Sequence, residues 1–150
     1  MSARAGTADL PYSLRWRLRL HLFDESGEAP AGTAIYSLAD PRAVRVSRYI
    51  GQTAQPRRRL LQHVRTARLW LPDEKPWWVR APRLQPLYEW IRELYQQEGR
   101  LPVMVVHDWV EAQQAHTAER ARILSCLEQQ LPLLNVAICR MRCADSPPRG

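Results

Sequence analysis

Thr33 to Ala67 reads TAIYSLADPRAVRVSRYIGQTAQPRRRLLQHVRTA, and the change in apolar spacing along it decides the fold. Thr33–Leu38 and Val44–Ile50 are short β-rich runs, and Asp40-Pro41-Arg42 between them supplies turn chemistry, so a hairpin is predicted. Gly51 is expected to end the second strand. Pro56 suits the first turn of a helix predicted to run to about Ala67, with Leu60, Leu61, Val64 and Ala67 as its core stripe. On the same helical wheel Arg59, His63 and Thr66 are expected on the far side, with Arg59 and His63 one turn apart and able to reach one anion.

Upstream, residues 1–12 read as a loose arm. Leu14, Trp16, Leu18, Leu20 and Leu22 then alternate with Arg15, Arg17, Arg19 and His21, the pattern of a strand with one apolar and one cationic face. That cationic face is either phosphate-directed or simply solvated. Downstream, Pro72, Pro76, Pro82 and Pro86 punctuate a loop holding Trp77 and Trp78. A second helix is predicted from about Gln85 to Gln97, stopping at Gly99, with Leu87, Trp90, Ile91 and Leu94 at helical spacing. Leu101–His107 reads as a buried strand. A last helix is expected to start between Asp108 and Thr117, both plausible caps, and to end before Pro132. The result is an α/β (α+β) chain, with one small antiparallel sheet flanked by helices and an extra basic N-terminal strand.

Composition narrows the class. A length of 150 residues suits one domain, and 45% apolar with 25% charged residues excludes a wholly disordered chain. No apolar run reaches the ~18 residues of a membrane span. Met1–Leu10 carries an Arg with no apolar stretch behind it, so no secretory signal is expected. Cys126, Cys139 and Cys143 lack zinc-type pairing and fit a reducing cytoplasm. The formal net charge is +7, and from Pro41 to Pro72 eight arginines stand with no acid: Arg42, Arg45, Arg48, Arg57, Arg58, Arg59, Arg65 and Arg68. A surface of one sign attracts polyanions, of which nucleic acid is the commonest in a cell.

Ile123, Leu127 and Leu131 define the buried face of the last helix, and Glu119 lies one turn ahead on nearly the same side. A carboxylate there needs a cation, a metal or hydrogen-bond donors. The competing account places Glu119 in the first turn beside a Thr117 cap, favoured by the helix dipole. Both stay open at this level. His107, Glu111 and His116 fit neither one helix face nor a common zinc spacing. Trp77 and Trp78 beside Arg80 suit either base stacking or anchoring of the loop.

In order, these features are Ala34-Ile35-Tyr36, Tyr49-Ile50-Gly51-Gln52-Thr53, Pro56-Arg57-Arg58-Arg59-Leu60-Leu61-Gln62-His63, Glu119 and Leu133-Leu134-Asn135. The ensemble resembles the GIY-YIG nuclease superfamily from about Ala34 to Asn135. The resemblance implies a three-stranded antiparallel sheet with flanking helices, a nuclease-like domain at 33–137, an N-terminal arm and strand at 1–32, and a tail at 138–150. It implies a metal-dependent endonuclease hydrolysing phosphodiester bonds in DNA, with a tyrosine-assisted water as nucleophile. Tyr36 and Tyr49 would face the scissile phosphate, Arg59 would stabilise charge on the phosphoryl oxygens, and His63 would assist proton transfer. Glu119 would be the sole protein ligand of one divalent metal, Mg²⁺ or Mn²⁺, and Asn135 would position groups around the site. Arg48, Gln52, Arg57, Arg58 and Arg65 are the candidate nucleic-acid contacts. The chain departs from the family pattern at Ala34, which replaces the first glycine, and at Gln52, where several relatives carry a lysine that Arg57 or Arg58 would replace. Expected partners are DNA, with RNA also open, and a protein that targets the enzyme; no membrane is expected. The expected setting is a prokaryotic or phage-infected cytoplasm. The alternative is a catalytically silent nucleic-acid-binding module on the same fold.

Overall fold

The computed structural model describes residues 32–71 and 75–135, together with the backbone of 19–22. The arm at 1–12, strand residues 14–18 and the tail at 138–150 lie outside the described residues, as do the side chains of 19–22. Among the described residues four strands and three α-helices follow in the order β1 (Arg19–Leu22), β2 (Thr33–Ala39), β3 (Tyr49–Thr53), α1 (Pro56–Thr66), α2 (Gln85–Glu98), β4 (Val103–Val110) and α3 (Ala115–Glu128). Single 3₁₀ turns at Pro82–Leu84 and Ala112–Gln114 lead into α2 and α3. The sheet order is β1-β4-β2-β3. β2, β3 and β4 form an antiparallel unit, and β1 adds to it parallel to β4, with Arg19 opposite Val103.

β2 is central and buried on both faces, because each face carries its own helical layer. Ala34, Tyr36 and Leu38 pack with Leu60 and Val64 of α1, with Ala67 just past its end, and with Leu87, Tyr88 and Ile91 of α2. Ile35 turns the other way and packs with Ile50, Ile123 and Cys126 under α3. Period-two alternation in β2 thus divides the core into two layers.

α1 begins on Pro56 without a side-chain cap. Past its C-terminal end, the carbonyls of Ala67, Arg68 and Leu71 accept hydrogen bonds from Arg92 of α2 at 2.7–2.8 Å, and Arg92 is only 3% exposed. Its charge is matched to the negative end of the α1 dipole, and it ties the two helices together. α2 stops at Gly99, whose φ of 63° is left-handed, with the Gly99 N–H bonded to Tyr95 O and the Arg100 N–H to Leu94 O.

Some details differ from the sequence reading, among them the last strand, which spans Val103–Val110 where Leu101–His107 was expected. The second hairpin strand starts at Tyr49, not Val44, because residues after Asp40 fold into successive turns. Ala43 N–H bonds Asp40 O, Val46 N–H bonds Ala43 O, and Asp40 also takes the backbone N–H and guanidinium of Arg42. Arg42 reaches Glu98 as well, at 3.1 Å. Next, α3 starts at Ala115, inside the expected window between Asp108 and Thr117, but it has no side-chain cap, so neither of those residues caps it. Glu119 therefore stands in the second turn, not beside a cap. Finally, Gly51 does not end β3; it lies inside the strand, opposite Tyr36.

That position has to be glycine. A Cβ on Gly51 would lie 2.5 Å from both Cζ and Oη of Tyr36, whose ring crosses the strand there. Gly51→Ala must push the tyrosine or the strand aside, and overpacking of this kind costs about 1–3 kcal/mol. A urea titration of Gly51→Ala is expected to show that loss, with Tyr36→Phe in the same background recovering little of it, because the ring remains.

A candidate active site at the free edge of the sheet

Tyr36 and Tyr49 project from β2 and β3 onto the same sheet face, with ring centroids 6.4 Å apart. α1 covers that face and brings His63 between them. His63 Nε2 and Tyr36 Oη are hydrogen-bonded at 2.7 Å, and the His63 ring meets the Tyr49 ring edge-on at 5.8 Å. On its other side, His63 Nδ1 lies 3.1 Å from Tyr88 Oη of α2. Arg59, one turn before His63, is half-buried, and its charge acts on the Tyr36 and Tyr49 hydroxyls. It also bonds Gln62 Oε1 at 3.1 Å.

His63 corrects the sequence reading. It is 0% exposed, so it forms no surface pair with Arg59 and reaches no external anion. At 100° per residue it falls about 60° from Leu60 and about 40° from Ala67, inside the apolar arc. Tyr36 is corrected too: at 1% exposure it lies behind the surface and does not face a phosphate. Tyr49 and Arg59, both half-buried, form the rim in front of it.

Burial, and then the charge of Arg59, push His63 down to about 3, so the imidazole is neutral. Burial, then Tyr49, raise Tyr36 far above the ordinary tyrosine range, against the charge of Arg59. Burial raises Tyr49 as well; Arg59 opposes this and Glu119 adds to it. The charge of Arg59 acts on Tyr36, Tyr49 and Tyr88 alike.

Glu119 comes from the opposite face, across the edge strand β3. Its Oε2 accepts a 2.7 Å hydrogen bond from Gln52 Nε2, so Gln52 is engaged with the carboxylate. Asn135 does not point into the tyrosine cluster. Its Oδ1 accepts from Ile50 N at 2.9 Å and its Nδ2 donates to Ile50 O at 2.8 Å, as a neighbouring strand would. Leu134 N–H bonds Arg48 O alongside, so this segment seals the free edge of β3 and holds the backbone between Tyr49 and Gly51.

The expected phosphate contacts divide. Arg57 and Arg58 are exposed at the start of α1, whereas the Arg48 guanidinium lies over the Trp90 ring, 5.5 Å from its centroid, and serves packing. Arg65 is half-buried. Trp78 is an anchor, its Nε1–H bonded to Thr66 O and its ring under Arg68 and Arg92, while Trp77 is 70% exposed. His107 bonds Ser37 Oγ at 2.8 Å where β4 has an extra residue opposite β2. Tyr88 is the residue that the sequence reading missed. Its signal was a tyrosine on the buried face of α2, whose hydroxyl requires a partner.

Among the described residues no group of three or more His, Cys, Asp or Glu side chains gathers. At this edge the carboxylate of Glu119 is the candidate oxygen ligand, and the Gln52 amide N–H now occupies its Oε2; a hard divalent cation that takes most of its ligands from water and substrate would have to displace that N–H. No described helix is long and apolar enough to cross a membrane. Comparison with protein-family models, with curated proteins and with solved structures finds no match to this chain.

The depressed His63 predicts a pH dependence. The unfolded chain binds a proton at this residue near pH 6.5, the folded chain only near 3, so the contribution is complete above 6.5 and is lost as pH falls toward 3. Urea titrations of wild type and His63→Gln across that window are expected to converge as the pH drops; parallel curves would refute a neutral, buried His63.

Proposed function

We propose that the protein is a metal-dependent endonuclease that hydrolyses phosphodiester bonds in DNA. The observation that carries this reading is the clustering of Tyr36, Tyr49 and Arg59 on one face of the β2–β3 hairpin, with Glu119 reaching the same strand edge. It is supported by the ordered resemblance to the GIY-YIG superfamily and by the acid-free arginine run.

Substrate is held first by charge, with Arg57 and Arg58 beside the rim. Arg59 would donate to the phosphoryl oxygens, where charge grows in the transition state. The attacking water forms a bond to phosphorus while the bond from phosphorus to the leaving sugar oxygen breaks. One of its protons would pass by way of the Tyr49 hydroxyl at the rim as the leaving oxygen takes up a proton in exchange, so that Tyr49 ends as it began; burial raises the pKa of that hydroxyl and the charge of Arg59 opposes the rise. Glu119, with Gln52 beside it, would hold one Mg²⁺ or Mn²⁺, which supplies positive charge at the phosphate. Asn135 keeps β3 and therefore Tyr49 in place.

The Gln52–Glu119 hydrogen bond favours a second reading, a catalytically silent nucleic-acid-binding module, because a cation must displace or reorient the amide. Supercoiled plasmid and branched DNA incubated with Mg²⁺ or Mn²⁺, then with EDTA, separate the two. The enzyme is expected to nick in a metal-dependent way, Glu119→Ala to abolish nicking, and Arg59→Ala to slow it by about 10²–10³. Salt-sensitive DNA binding with no cleavage of either substrate would instead establish the silent module.

A further inference from the structure

Behind Arg59 and the rim lies a hydrogen-bonded chain that the nuclease chemistry does not use directly: Tyr36, His63, Tyr88. The proton count along it has one solution. Tyr36 Oη is buried, is hydrogen-bonded to His63 and has the charge of Arg59 nearby. A guanidinium has only donors, so it cannot take the Tyr36 proton. The Tyr36 O–H must therefore donate to His63 Nε2, and that nitrogen must be bare. A neutral imidazole then carries its proton on Nδ1, which needs an acceptor in a fully buried place. Tyr88 Oη stands there, 3.1 Å from Nδ1. The two distances agree with these directions, since 2.7 Å suits an O–H donor and 3.1 Å an N–H donor. The reverse tautomer would leave the buried Tyr36 proton without an acceptor, which costs more than the hydrogen bond itself is worth.

We propose that Tyr88 is a positioning residue: by accepting the Nδ1–H of His63 it locks that imidazole in the Nδ1–H tautomer, keeps Nε2 bare to accept the Tyr36 O–H, and so leaves the lone pairs of the Tyr36 oxygen facing the charge of Arg59. The rim arginine is thereby held from behind by a relay reaching from α2 through α1 to β2. In its bearing on catalysis the inference rests on the nuclease reading, because Arg59 is the group assigned to the phosphate; the tautomer itself does not depend on that reading.

Protein labelled with ¹⁵N, studied by long-range ¹H–¹⁵N correlation of histidine rings at neutral pH, tests it, with His63 assigned by the signals missing from His63→Gln. Wild type is expected to show a protonated Nδ1 and a bare Nε2 at His63. A protonated Nε2, alone or with Nδ1, overturns the relay, and this spectrum needs no variant other than the one used for assignment. In Tyr88→Phe, which keeps the ring and removes one oxygen, the two nitrogen shifts are expected to move toward each other as the single tautomer is lost; an unchanged pattern means that Tyr88 does not set it. If wild type cuts DNA, Tyr88→Phe is expected to lower kcat about tenfold at unchanged KM, the value of one misplaced hydrogen bond. Wild-type kcat in that variant would break the link to Arg59. Absence of cleavage by wild type would overturn the nuclease reading, while the nitrogen shifts would still decide the relay.

Discussion

The contact between Tyr36 and His63 is the constraint on which the candidate site depends. It joins the central strand to α1 deep in the protein, and it can form only because the next strand offers no side chain where the tyrosine ring passes. Glycine in β3 is thus a requirement of β2: the ring lies flat across its cross-strand neighbour, and its hydroxyl reaches the helix above. Burial makes this arrangement rigid. It strips water from an imidazole and several phenols at once, so each must find its partner inside the protein. Arg59 is the cation that balances them, and it stands where the buried network meets the surface.

Around this centre, structural and chemical roles separate by depth. Tyr36, His63 and Tyr88 are interior and neutral. Tyr49, Arg59 and Glu119 are at the rim and bear the charge or the accessible hydroxyl. The edge strand β3 carries residues of both faces: Tyr49 belongs to the tyrosine face, Gln52 to the Glu119 face, and Asn135 seals the backbone between them. An exposed strand edge is a liability for any sheet. Here side-chain pairing from Asn135 closes it without adding a strand, so the rim stays open on either side.

Arginine has two different uses in this chain. Arg92 is buried against three carbonyls at the end of α1, and Arg48 lies over Trp90; both act as packing groups with a charge attached. Arg57 and Arg58 remain exposed, and Arg59 lies between the two groups. An acid-free run of arginines in a sequence is therefore not one surface. The fold withdraws some of its charges into the core and presents the others at the start of α1.

Much of this was legible from residue order alone. The helices follow from apolar spacing and from Pro56 and Gly99, and β2 and β4 from their unbroken apolar runs. Tyr36, Tyr49, Arg59 and Glu119 stood out because their residue types recur in a recognisable order. The start of β3 was not legible: Val44 and Val46 have strand character, but Asp40, Arg42 and Glu98 hold that segment in turns through contacts made across the fold. His63 was placed on the wrong side of its helix, since a polar side chain inside an apolar arc is acceptable only where partners wait, and those partners sit 27 residues before it and 25 after it. Local periodicity determined which segments fold and which faces they bury. Only the packed structure decided which polar groups entered those faces, because the free energy of burying a hydroxyl or an imidazole depends on a partner that neighbouring residues cannot supply.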